Sequence, residues 1–110
     1  MPDDDKRAAY RALEDRVVLG EGMSSTQDRA RAFANDGLSS PLADLIGKVA
    51  DRPAQVTGHD LQAAKTSGLS EDEMFELVVC AAVGKSARLY DAGLAALVEA
   101  MGDRRPRDAS

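Results

Sequence analysis

The sequence is poor in the residues that carry most site chemistry. Its 110 residues include one cysteine, one histidine and no tryptophan, and aromatic residues make up only 4%. A single cysteine cannot form an intramolecular disulfide, so nothing here requires an oxidising compartment. One Cys and one His at unrelated positions are too few ligands for a metal site within one chain. We therefore predict neither a metal nor a cofactor.

An excess of positive charge and long apolar runs are also missing. Fourteen basic against 19 acidic residues give a formal net charge of −5, whereas nucleic acids and anionic membranes both require a basic face. No run approaches the roughly 18 consecutive apolar residues of a membrane span, and the acidic start lacks the apolar segment of a signal peptide. We expect no nucleic-acid or membrane partner, and a cytoplasmic protein.

Alanine, valine and leucine supply most of the apolar content, which is 44% of the chain. A single domain of this length with so few bulky residues buries little volume per helix. Such cores are often completed by association between chains. The composition therefore favours an oligomer.

Hydrophobic spacing and helix-end signals predict an all-α single domain of about five helices over residues 1–102, with the last helix long. The expected helices are residues 1–19, Ser25 to Asn35, Pro41 to Asp51, a short helix from Thr57 to Gly68, and Glu71 to about Met101. In the second helix only Ala30, Phe33 and Ala34 offer an apolar side. In the third, Leu42, Leu45, Ile46 and Val49 form an apolar stripe.

Two consecutive capping boxes define the starts of the fourth and fifth predicted helices. Thr57 with Asp60, and Ser70 with Glu73, have the spacing at which a side chain and a backbone N–H bond reciprocally at a helix start. Gly68 between them supplies the left-handed stop. The boxes predict one helix after Thr57 and another after Ser70.

The last helix contains the run 77–84, LVVCAAVG, which has no polar side chain. A helix that is apolar all round is expected to be buried on every side. Small residues along this helix would let another helix approach closely, so we expect it to form much of an intermolecular interface. These residues are Ala81, Ala82, Gly84, Ser86, Ala87, Gly93 and Ala96. Residues 103–110, with three arginines, are expected to form a disordered, solvated tail, or one that docks to an acidic partner.

The order of motifs between Lys48 and Leu97 resembles that of the alkylhydroperoxidase D-like (AhpD-like) superfamily, which includes carboxymuconolactone decarboxylases. The matching elements are Lys48-Val49, Pro53, Val56-Thr57, Asp60, Gly68-Leu69-Ser70, Glu71 to Glu73, and Arg88-Leu89. Upstream, Gly20-Glu21-Gly22, Asp36-Gly37-Leu38 and Pro41-Leu42-Ala43 resemble short family members that lack the cysteine motif.

The redox members of that family work through a Cys-x-x-Cys pair with a nearby histidine, upstream of the matched region. Residues 1–53 contain neither Cys nor His. That chemistry needs two thiols that cycle through a disulfide, one of them activated by a base. The resemblance therefore implies a non-redox member, and we assign no catalytic residue.

Three residues remain as candidates for chemistry. Cys80 lies among valines and alanines, so we expect a buried structural thiol. His59, in the first turn of the Thr57-capped helix, is either a surface residue or a neutral base or ligand contact. Arg88 either pairs with Asp91, three residues on, or points inward to bind a ligand carboxylate. His59 and Arg88 are thus the candidate ligand-binding residues.

Three functions stay open. The leading prediction is an oligomerising or accessory subunit, associating with itself or with a larger family member that retains the cysteine pair. The first alternative is a carboxymuconolactone decarboxylase-type enzyme using acid–base chemistry on a small organic acid, which requires His59 and Arg88 in one pocket. The second alternative is a small-molecule binding module within the helical core.

Overall fold

Helices account for all the regular structure in the part of the chain that the structure describes. The computed structural model describes the backbone of residues 2–109 and the side chains of residues 7–102. The elements are α1 (Pro2–Leu19), α2 (Thr26–Ala34), α3 (Leu42–Asp51), a 3₁₀ turn (Pro53–Gln55), α4 (Gly58–Thr66) and α5 (Glu71–Ala109). The prediction of an all-α fold with five helices and a long last helix is confirmed.

Helix α5 is the axis against which the other helices pack. It contacts α1, α2, α3 and α4, most extensively α2, and α4 also rests on α3. At about 1.5 Å per residue its 39 residues span about 58 Å, close to the longest dimension of the molecule, 64 Å. The side chains of 103–110 lie outside the described residues, so the predicted disordered tail is not tested.

The core consists of two adjoining clusters on the proximal half of α5. One contains Ala32, Ile46, Leu77, Cys80 and Ala81, and the other contains Leu45, Ala64 and Met74. Leu45 and Ile46 are fully buried, while Leu42 and Val49 pack against the clusters from the same helix. The predicted apolar stripe of α3 therefore faces the core.

Both capping boxes form. The Thr57 N–H donates to Asp60 Oδ2 at 2.9 Å, and the Asp60 N–H donates to Thr57 Oγ1 at 3.3 Å. Ser70 and Glu73 make the equivalent pair, each bond 3.1 Å long. Lys48 Nζ reaches both Asp60 carboxylate oxygens at 3.0 Å and ties α3 to α4. The Thr57 N–H bond, followed by Lys48, holds the pKa of Asp60 below its usual value.

The inward side of α2 differs from the prediction. Ala30 and Ala34 are exposed, and the residues that face the molecule are Arg29, Ala32 and half-buried Phe33. A charged residue takes the place of an alanine because backbone carbonyls at the end of α1 neutralise the cost of burying its guanidinium. The prediction was therefore wrong about which face of this helix is buried.

The apolar run at 77–84 is not covered on every side within one chain. Leu77, Cys80, Ala81 and Gly84 are buried, but Val78, Val79 and Val83 are only half-buried and Ala82 is exposed. The uncovered side of the run continues along α5 as an exposed face.

Candidate functional site

Glu76 organises the loop between α1 and α2 from its position on α5. Its carboxylate accepts hydrogen bonds from Met23 N at 2.8 Å, Ser24 N at 2.8 Å and Ser24 Oγ at 2.6 Å. These donors, led by the Met23 N–H, hold the pKa of Glu76 below its usual value. A Cβ on Gly22 would lie 2.8 Å from Glu76 Oε1, so the loop approaches this closely because residue 22 is a glycine.

Arg29 is the most deeply buried charge described, with 5% of its surface exposed. Its Nη1 donates to the carbonyl oxygens of Gly20 at 2.5 Å and Val17 at 3.5 Å. These carbonyls belong to the C-terminal end of α1, where a cation is favoured by the helix dipole. Arg29 thus bonds the end of α1 through Nη1, while its fully buried Nε has no acceptor among the described residues.

A cavity of about 170 Å³ opens beside this network, between the end of α1 and α5. Its lining comprises Arg16, Val17, Glu21, Arg29, Phe75, Glu76 and Val79. Apolar side chains meet two guanidinium groups, Arg16 and Arg29, and two carboxylates, Glu21 and Glu76, in this cavity. Sequence reasoning missed Arg29 and Glu76 because their partners are mostly backbone groups from a different part of the chain.

Cys80 is buried, as predicted. It is 1% exposed, and its thiol donates to the Val17 carbonyl oxygen at 3.3 Å. Burial raises the pKa of the thiol above its usual value. A protonated, enclosed thiol is a poor nucleophile, which agrees with the absence of a second cysteine from the sequence.

Arg88 caps α2. Its Nη1 donates to the Phe33 carbonyl oxygen at 2.6 Å, in the last turn of α2. The same carbonyl packs against Gly84, one turn earlier on α5, where any Cβ would overlap it. Among the described ion pairs none joins Arg88 to Asp91. The predicted pairing within α5 is therefore replaced by a bond between helices.

His59 is exposed in the first turn of α4. Neither His59 nor Arg88 lines the cavity beside Arg29. A ligand-binding role for either residue stays a prediction. Within the described part of the chain, no group of three or more His, Cys, Asp or Glu side chains is placed to hold a metal ion. Nor is any described helix both long and apolar enough to cross a bilayer.

One side of α5 is exposed along most of its length, and we call it the outer face. It comprises Phe75, Val79, Ala82, Ser86, Leu89, Gly93, Ala96 and Ala100. Successive members are four and three residues apart, the heptad spacing of a helix–helix seam, and none is charged. Only Val79 is half-buried; Phe75 is 69% and Leu89 60% exposed.

The distal part of α5, residues 92–102, carries a single charge, Glu99. Leu97, Val98 and Met101 are each more than half exposed there. Helix α2 bonds to α5 through Arg88, and α3 through Lys85, both before this segment begins. An apolar helical segment this bare is normally covered by another helix.

Helix α1 flanks the outer face and runs antiparallel to α5. Val17 meets Cys80, whereas Tyr10 stacks on Tyr90 with ring centroids 4.9 Å apart. The Tyr10 and Ser86 hydroxyls are hydrogen-bonded at 3.3 Å. Between the two helices lies an open, mainly apolar groove of about 320 Å³, lined by Ala9, Tyr10, Leu13 and Ser86. The groove and the outer face form one continuous surface.

Comparisons with protein-family models, with curated proteins and with solved structures found no match for this chain. The AhpD-like resemblance therefore stays a prediction from the order of sequence motifs.

Proposed function

We propose that this chain is a non-redox subunit that assembles with copies of itself through the outer face of α5. The observation that carries the proposal is this long, uncharged and exposed face with heptad spacing. A soluble monomer rarely leaves such a surface in water, and the unpartnered heptad seam is suited to a second helix.

The small residues of the outer face favour close helix contact. Ala82, Ser86, Gly93, Ala96 and Ala100 have side chains no larger than a hydroxymethyl group, so the backbones approach until Leu89 packs on the facing helix. The face is about 38 Å long and about 10 Å wide, on the order of 400 Å² in projection. A stable interface buries about 800 Å² per partner, so the groove beside α1 must contribute.

Thiol chemistry does not contribute to this role. The only cysteine in the sequence is Cys80, and its thiol is enclosed and bonded to a backbone carbonyl. The AhpD-like resemblance implies a short member without the cysteine motif. A larger related chain that retains the motif is the alternative partner for the same face.

Sedimentation velocity tests the proposal. Leu89→Glu and Ala96→Glu each place a charge on the outer face at an exposed position, so the monomer should stay folded. Gln62→Glu, exposed on α4, makes the same charge change away from the face. We expect the wild type and Gln62→Glu to be dimers or larger at micromolar concentration, and both outer-face variants to be monomers with unchanged circular dichroism.

A wild type that remains a folded monomer at high micromolar concentration would refute self-association. If that monomer acquired a stable complex only with a cysteine-containing relative, the accessory role would stand and the homo-oligomer would not.

A second candidate function is the binding of a small carboxylate in the Arg29 cavity. It is favoured by two arginines, Arg16 and Arg29, beside apolar side chains of α1 and α5, and it is opposed by the carboxylates of Glu21 and Glu76. Calorimetric titration with benzoate tests it, with neutral, isosteric benzamide as the matched control. Saturable binding of benzoate alone supports this function, and equal or absent binding of both compounds contradicts it.

A further inference from the structure

We infer that two copies pair antiparallel, so that the distal segment of each α5 lies in the α1–α5 groove of the other. The inference rests on the proposed self-association and adds its geometry. The bare segment 92–102 and the groove around Ser86 occupy different parts of α5. Antiparallel pairing brings each segment onto the partner's groove, twice by symmetry, whereas parallel pairing leaves both grooves open.

Side-chain size along the outer face selects the register. When Leu89 is opposite Gly93 of the partner subunit, Ser86 faces Ala96 of the partner subunit and Ala82 faces Ala100 of the partner subunit. The one large residue in the middle of the face then meets its only glycine, so the helices interlock at close approach. In parallel pairing Leu89 would meet its own copy and Gly93 would leave a gap.

The charged residues beside the outer face favour the same antiparallel register. Lys85 and Glu99 lie on one flank of the outer face, each just before a seam residue. The antiparallel register places Lys85 opposite Glu99 of the partner subunit, at both ends of the contact. Lys85 Nζ already bonds to Asp51 at 3.2 Å. Because an ammonium group has three N–H donors, Lys85 can bond to Asp51 and to Glu99 of the partner subunit at the same time. Opposite charges at such flanking positions set register and orientation.

Disulfide cross-linking between two single-cysteine variants distinguishes the two orientations. Ser86→Cys and Ala96→Cys both introduce an exposed thiol on the outer face, while native Cys80 is buried and the wild type serves as control. In the antiparallel dimer residue 86 faces residue 96 of the partner subunit, within disulfide range, and like residues are about 15 Å apart along the axis. Oxidation of a mixture should give the mixed dimer, identified by intact mass, and each variant alone should remain unlinked.

Linked dimers from either variant alone, without mixed dimers, would establish parallel pairing and overturn the inference. A dimer by sedimentation that gives no mixed product would overturn it too. If sedimentation shows only monomers, the proposed self-association itself fails, so the two failures are separable.

Charge reversal gives a second, independent measurement at low salt. Lys85→Glu and Glu99→Lys should each weaken dimerisation several-fold, and the double variant should return the dissociation constant to within about twofold of wild type. Losses that merely add in the double variant would show that the two side chains do not meet.

Discussion

Helices α2 and α5 approach closely at Gly84, and replacing this glycine tests how tightly the two helices pack. A Cβ there would overlap the Phe33 carbonyl oxygen and lie 2.7 Å from the Phe33 carbonyl carbon. These are backbone atoms in the last turn of α2, so no flexible side chain can move aside. Gly84→Ala must therefore push α2 away from α5 and lengthen the Arg88 bond to the same carbonyl.

The expected loss in the free energy of unfolding of Gly84→Ala has three contributions. Overpacking against a rigid neighbour costs about 1–3 kcal/mol. Loss of the charge-assisted Arg88 hydrogen bond costs about 1.5 kcal/mol, the low end of its range because Arg88 is exposed. Alanine in place of glycine within a helix stabilises the helix by about 0.5–1 kcal/mol and offsets part of this loss. We expect a net loss of about 1.5–4 kcal/mol, or roughly 6–25 °C in Tm.

Urea unfolding at one fixed protein concentration measures this loss. Gly102→Ala is the matched control, because nothing lies within 4 Å of a Cβ at that position of the same helix, and it should be neutral or slightly stabilising. Arg88→Ala removes the hydrogen bond without the overlap and should cost about 1–2 kcal/mol. Gly84→Ala with wild-type stability would refute the close approach of the two helices.

Other consequences are open to direct measurement. Because the folded pKa of Glu76 lies below its unfolded value, its stabilisation is present above the unfolded pKa and lost as pH falls through the folded pKa. Glu76→Gln should cost about 1–2 kcal/mol at pH 7 and flatten the acid side of the stability curve, and an unchanged curve would contradict this. Cys80 should react with thiol reagents far more slowly in the native than in the urea-unfolded protein; equal rates would mean that it is exposed. The protein should show no dithiol-dependent peroxide turnover, and turnover abolished by Cys80→Ser would disprove that. Thr57→Ala should cost about 1 kcal/mol in urea unfolding, whereas no loss would mean that the cap is dispensable.

Local signals made most of the fold predictable. Capping boxes such as Thr57 with Asp60 act over three residues, and the apolar stripe of α3 repeats within one helix. Information of this kind is complete in a short stretch of sequence, so the helix order and approximate boundaries followed from it.

Contacts between a charged side chain and a distant backbone group were not predictable in the same way. Arg88 has a suitable acid three residues away, yet it bonds to Phe33, 55 residues earlier in the chain. Arg29 and Glu76 likewise bond to backbone groups around the loop at 20–24. Backbone carbonyl and N–H groups occur all along the chain. Nothing in the sequence therefore marks which of them lacks an intrahelical hydrogen bond at the end of a helix.

The outer face was only partly predictable from the sequence. Its heptad spacing and lack of charge are visible in the sequence, but so is a second heptad on the same helix: Cys80, Val83, Ala87, Tyr90, Leu94, Leu97 and Met101. The structure separates them, because Cys80 and Tyr90 contact α1 while Leu89, on the outer face, remains 60% exposed. The second heptad therefore contacts α1 through Cys80 and Tyr90. The outer face contacts α1 at Ser86 and is otherwise mainly exposed. This helix has more apolar surface than its own chain covers, and for that reason we propose assembly as the function of this chain.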